Sequence, residues 1–203
     1  MIAIIDYGIG NLFSLKSSFA RIGEEAVVTS DKRVIADSDR IILPGVGAFE
    51  DAAKKLRMGG LDEVVVSEVQ KGKPLMGICL GMQMLFEKSY EYGEHLGLGL
   101  IKGEVVPMTG AVPPELKIPH MGWNNLDFVG DKDRIFKYVS DDAFVYFVHS
   151  YYAIGCDDAL IATAEYGTSI TAAVRRDNVC GCQFHPEKSG KVGLSILKAF
   201  CEI

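Results

Sequence analysis

The sequence predicts an α/β fold, with a parallel sheet covered by helices in its first half and an antiparallel portion added in its second. Three observations carry this. Before about residue 87, short apolar runs alternate with segments whose apolar residues recur at helical spacing. From Phe144 onward, apolar runs follow one another with turns between them. No repeat, low-complexity tract or linker separates the halves, so a single domain spanning 1–203 is expected.

The elements follow in order. Ile2 to Ile5 is an apolar run closed by Asp6-Tyr7-Gly8-Ile9-Gly10-Asn11, and it reads as the first strand. A helix comes next: Asn11 can cap it, Leu12, Leu15, Phe19 and Ile22 line one face, and Gly23 can stop it. Strands are expected at Val27-Val28-Thr29 and at Arg40 to Leu43, the latter ending in Pro44-Gly45-Val46-Gly47. Helices around Phe49 to Leu56 and Leu61 to Gln70 lead to an apolar strand at Leu75 to Ile78, and a helix is expected over Met82 to Glu87. In the second half, Phe144 to Val148, Leu160 to Ala164, Ile170 to Val174 and Val179 to Phe184 read as strands. From Ser189, the spacing of Val192, Ile196, Leu197 and Phe200 predicts a closing amphipathic helix.

Composition bounds the function. A chain of 203 residues can bury roughly 70% of its unfolded surface without covalent staples. The formal net charge of −6 argues against a nucleic-acid binder, which carries a basic stripe. Five cysteines without a CxxC give no disulfide framework and fit the reducing cytoplasm. No apolar run has the length of a membrane span, and the first residues lack the basic start of a secretory signal.

The sharpest local signal is Gly77-Ile78-Cys79-Leu80-Gly81, between a strand run and a helix. This is the G-x-nucleophile-x-G elbow with cysteine as nucleophile. Its glycines make room for a tight turn, and the helix N-terminus beneath favours a thiolate. Taken alone, a buried strand-end cysteine beside packing glycines remains open. Gln183-Phe184-His185-Pro186-Glu187 supplies the rest. A thiol nucleophile needs a base, and the base needs an acceptor to hold its tautomer. His185 and Glu187, two apart on an extended segment, would share a face and fit those roles. Gly8-Ile9-Gly10 hints at a dinucleotide fingerprint, but Phe13 stands where a third glycine is required, and no P-loop occurs. Cys180 and Cys182 lack zinc-site spacing and read as packing. Neither a metal nor a cofactor is expected.

These motifs resemble the triad-type, class I glutamine amidotransferases. Leu43-Pro44-Gly45-Val46-Gly47-Ala48-Phe49, Pro119-His120-Met121-Gly122-Trp123-Asn124, Phe147-Val148-His149-Ser150-Tyr151 and Phe184 to Ser189 narrow the resemblance to the glutaminase subunits of imidazole glycerol phosphate synthases. It extends from Asp6 to the last helix. The resemblance implies a flavodoxin-like central sheet. It implies that Cys79 attacks the side-chain amide of L-glutamine, that His185 relays the proton and that Glu187 orients His185. The oxyanion would be held by the Leu80 and Val46 N–H groups, the latter after a peptide rotation that glycine at position 45 makes easy. Gly47, Gln83, Ser150 and Tyr151 would hold glutamine. Asn11, Trp123, Tyr146 and Lys188 would face a (βα)8-barrel cyclase that receives the ammonia, and His120 and His149 would be supporting residues. Two alternatives keep parts of the pattern: a stand-alone γ-glutamyl hydrolase or cysteine peptidase, and a non-catalytic regulator of a cyclase. The intact Cys79, His185 and Glu187 weigh against the regulator.

Overall fold

The computed structural model describes residues 1–203. Its first half runs β1 (Ile2–Ile5), α1 (Leu12–Arg21), β2 (Ala26–Thr29), α2 (Lys32–Asp37), β3 (Arg40–Leu43), α3 (Phe49–Met58), α4 (Leu61–Gln70) and β4 (Leu75–Ile78). A single helical turn, α5 (Leu80–Gln83), follows, then β5 (Lys88–Ser89), β6 (His95–Leu96), β7 (Glu104–Pro107), β8 (His120–Asn125) and β9 (Asp127–Phe128). The chain closes with β10 (Phe144–His149), β11 (Tyr151–Ile154), β12 (Leu160–Glu165), β13 (Ser169–Arg176), β14 (Val179–Cys182) and α6 (Gly190–Cys201).

Eight strands form the central sheet in the order β2-β1-β3-β4-β14-β13-β12-β9. The first five run parallel, and β13, β12 and β9 join antiparallel. The parallel part has the flavodoxin-like arrangement, in which ligands bind beyond the carboxyl ends of the strands. A second sheet runs β11-β7-β5-β6, and β8 pairs only with β10.

Successive strand residues point to opposite faces, so the inner parallel strands feed two cores. Ile2, Ile4, Ile42, Met76 and Ile78 pack with Leu15 and Phe19 of α1 and with Ile196, Leu197 and Phe200 of α6. Ala3, Ile5, Ile41, Leu43 and Leu75 pack with Phe49 and Leu56 of α3 and Leu61 and Val65 of α4. Cys180 and Cys182 are buried in the first of these cores, consistent with packing.

Three local readings change. The helix expected over Met82 to Glu87 is one turn, Leu80–Gln83. The carbonyls of Met84, Leu85 and Phe86 instead accept from the N–H groups of residues 98 to 101, so the helix cannot propagate. Asn11 stands at the N-cap of α1, but its side chain makes no capping hydrogen bond. The unexpected α2 starts at Asp31, whose side chain accepts from the Arg33 N–H at 2.8 Å. Gly23, at φ +82°, does follow the last turn of α1, with its N–H on the Ala20 carbonyl.

Gly193 locks α6 against the turn after β14. A Cβ there would lie 1.8 Å from the Pro186 carbonyl oxygen, which is backbone and cannot swing aside. Gly193→Ala is therefore expected to lower Tm by about 5 °C, the effect of overpacking in a chain of this size. Thermal melting followed by circular dichroism checks this, and an unchanged Tm would contradict the contact.

Candidate active site

The carboxyl ends of β3, β4 and β14 meet at Cys79. Cys79 leaves β4 with φ 54° and ψ −111°, a region costly for a side chain. Its N–H donates to the Cys182 carbonyl at 2.8 Å, and its carbonyl accepts from Gln83 to open α5. Around it three glycines interlock. A Cβ on Gly77 would meet the Gly81 oxygen at 2.6 Å, one on Gly81 the Leu43 oxygen at 1.9 Å, and one on Gly45 the Gly81 nitrogen at 2.7 Å. Glycine at 45 is thus required by close approach to the elbow, and not only by conformational freedom. Leu80, first in α5, has an N–H with no acceptor inside the helix.

His185 and Glu187 come together differently from the expectation. They flank Pro186 in a 3-10 turn, Pro186–Lys188, instead of sharing a face of an extended segment. His185 Nδ1 donates to Glu187 Oε1 at 2.9 Å, with the two side chains only 2% and 1% exposed. That bond assigns the proton to Nδ1 and leaves Nε2, buried and without a partner, for other chemistry. Burial works against charge on His185, but Cys79 and Glu187 outweigh it and raise its pKa to about 9. Backbone bonds hold the turn: the His185 N–H donates to the Tyr146 carbonyl, the Ser189 hydroxyl to the His185 carbonyl at 2.6 Å, and the Tyr146 N–H to the Ser189 oxygen. Ser189 was not singled out from the sequence as a positioning group.

Cys79 and His185 open into a cavity of about 500 Å³. Val46, Gly47, Leu80, Gln83, Ser150 and Tyr151, all expected at the site, line it too, and so does Lys188, which was expected at the partner interface. The Val46 N–H donates to no backbone acceptor. The cavity also holds one carboxylate, Glu91, which sequence reasoning missed. Burial raises the Glu91 pKa, opposed by the Phe49 N–H that its carboxylate accepts at 2.6 Å. Glu91 lies in an irregular stretch after β5, where no motif marks it.

Three of the four residues expected to face outward lie together. The Trp123 and Tyr146 rings, paired across β8 and β10, meet edge to face at 6.0 Å, and the Lys188 ammonium sits 5.8 Å above the Tyr146 ring. Trp123 is 55% exposed, which removes it from the core. Asn11 is on a separate element, partly exposed at the start of α1. At the cavity wall, His149 Nδ1 faces the Tyr151 carbonyl at 2.8 Å and His149 Nε2 faces His120 Nδ1 at 3.0 Å. Desolvation lowers the pKa of His120 to about 4 and of His149 to about 3, so both are neutral. No group of three or more His, Cys, Asp or Glu side chains is placed to hold a metal ion. No helix is long and apolar enough to cross a membrane.

A buried cysteine on an elbow, beside a histidine held by a glutamate and opening on a polar cavity, has the geometry that thiol acyl transfer requires. The profile of the family "Glutamine amidotransferase class-I" matches residues 3–202, and the chain belongs to that family. It is 51% identical over 202 residues to the "Imidazole glycerol phosphate synthase subunit HisH" of Lactococcus lactis subsp. lactis (strain IL1403), covering 99% of this chain and 98% of that one. It is 49% identical over 204 residues to the protein of the same name from Syntrophotalea carbinolica, covering 98% of each. Among solved structures, a "Crystal structure of glutamine amidotransferase" superimposes over the whole chain with a TM-score of 0.77 at 19% identity, covering 98% of that chain, a likeness of fold.

The histidines make stability depend on pH in both directions. The raised pKa of His185 gives a contribution that is complete below about 6.5 and lost as pH rises through about 9. The depressed values of His120 and His149 give one that is present above about 6.5 and lost as pH falls through about 4 and about 3. Glu187→Gln removes the charge that helps raise His185. The decline in Tm between about pH 6.5 and about 9 should therefore be shallower in the variant than in wild type. Equal slopes would detach Glu187 from the titration of His185.

Proposed function

We propose that this chain is the glutaminase subunit of an imidazole glycerol phosphate synthase. It hydrolyses L-glutamine to glutamate and ammonia and delivers the ammonia to a cyclase partner for histidine biosynthesis. The observation that carries the reading is the geometry around Cys79: an elbow nucleophile, His185 Nε2 free on the cavity side, and Glu187 bound to the opposite ring nitrogen. The kinship to proteins of that name over the full chain supports it.

In this reading the Cys79 proton rests on His185 Nε2, and the sulfur, as thiolate, attacks the carboxamide carbon of glutamine. Leu80 and, after rotation of the Gly45–Val46 peptide, Val46 direct N–H groups at the oxyanion; such donors are each worth roughly 10²–10³ in rate. A His185 with its pKa at about 9 holds the proton at neutral pH and can pass it to the departing nitrogen. Ammonia leaves, a thioester remains on Cys79, and water activated by His185 releases glutamate. Gly47, Gln83, Ser150 and Tyr151 hold the amino-acid end of glutamine, with the Glu91 carboxylate suited to its ammonium. Glu187 keeps His185 in one tautomer throughout.

The partner is a cyclase with a (βα)8 barrel, engaged by Trp123, Tyr146, Lys188 and Asn11 in a heterodimer in the cytoplasm. Lys188 both lines the cavity and stacks on Tyr146, so one side chain touches the chemistry and the proposed interface. This arrangement divides labour between two chains. In the complex with the cyclase, Cys79→Ala should abolish glutamine-dependent synthesis and leave ammonia-dependent synthesis at the wild-type rate. Product assays with each nitrogen source decide it. Continued use of glutamine would overturn the assignment of the nucleophile.

A further inference from the structure

The donors and acceptors around Cys79 fix the orientation of a buried amide that the mechanism above does not use. Gln183, directly after β14, is fully buried. Its orientation follows from a backbone carbonyl. The Tyr151 oxygen can only accept, so the Gln83 side-chain atom 3.1 Å from it is Nε2. The second hydrogen on that nitrogen points at Gln183, 2.9 Å away, and requires Oε1 there. Gln183 Nε2 is thereby turned toward Cys79 Sγ, at 3.7 Å. His149 Nδ1 donates to the same Tyr151 carbonyl and keeps it in place.

Besides His185, the sulfur has two hydrogen-bonding contacts of opposite kind. Val148 offers a carbonyl at 3.9 Å, which only a thiol S–H can use. Gln183 offers an N–H, which a thiolate uses best, since a donor to a charged acceptor is the stronger bond. We propose that Gln183 is a further catalytic residue whose side-chain N–H holds the negative charge of the Cys79 sulfur. The proposal rests on Cys79 being the nucleophile. It acts where that charge appears: on the thiolate before attack, and when the thioester is hydrolysed. In that second step water's oxygen bonds to the acyl carbon, the C–S bond breaks, its electron pair goes to sulfur, and His185 manages the proton from water. A fixed donor aimed at the departing sulfur stabilises that step without reorganising.

The test is the rate of Cys79 alkylation by iodoacetamide in the full chain, read by peptide mass spectrometry across pH. Gln183→Met removes the donor and keeps much of the volume. Alkylation should slow by about 10- to 100-fold near neutral pH, the worth of a hydrogen bond to a charged group, and approach the wild-type rate at high pH. A rate reduced equally at every pH, or unchanged, would make Gln183 a packing residue and overturn the proposal. A second measurement needs no variant. The Gln183 side-chain amide resonance of the wild-type chain should shift when Cys79 is alkylated, and an unmoved resonance would also overturn it. If wild-type Cys79 reacts no faster than the other four cysteines, the nucleophile reading itself fails, an outcome distinct from either of these.

Discussion

The structure around the site depends on the absence of three side chains where β3, β4 and the elbow touch. With Gly81 and Leu43 oxygen separated by less than any Cβ would allow, the β3 loop can lie directly on the Cys79 turn. That contact holds the β3 loop against the elbow, and Val46 and Leu80 both line the cavity. Parallel pairing of β4 with β14 then brings the Cys182 carbonyl to the Cys79 N–H and carries the chain to His185. Backbone proximity comes first, and the side-chain chemistry is mounted on it.

Electrostatics acts within that frame. Glu187 and His185 are removed from water together, so their attraction is little screened and the imidazole keeps one tautomer. His120 and His149 are buried without a carboxylate and stay neutral, their ring nitrogens spent on each other, on the Tyr151 carbonyl and on the Asn124 amide. The same side chain serves opposite ends because the neighbours differ. One histidine is held ready to carry charge, and two are denied it.

Much of this was legible in the sequence. Alternating apolar runs and helical stripes are local signals, and they specified the parallel sheet and its helices. The elbow was legible because steric demand writes glycine at fixed offsets from Cys79. Other features were not. The truncation of α5 depends on carbonyls of Met84 to Phe86 finding partners more than ten residues later, which periodicity cannot express. Glu91 and Ser189 act through contacts with Phe49 and Tyr146, distant along the chain. The 3-10 turn at Pro186 brings His185 to Glu187 by a route that an extended segment would not take.

The claim on which the rest stands is that Cys79 carries the acyl group of glutamine. It is tested by rapid acid quenching of the complex with the cyclase during turnover of isotopically labelled glutamine, followed by peptide mapping. The predicted result is a labelled γ-glutamyl thioester on Cys79 alone. Label on Cys156, Cys180, Cys182 or Cys201, or turnover with no label on Cys79 under conditions that preserve thioesters, would contradict it.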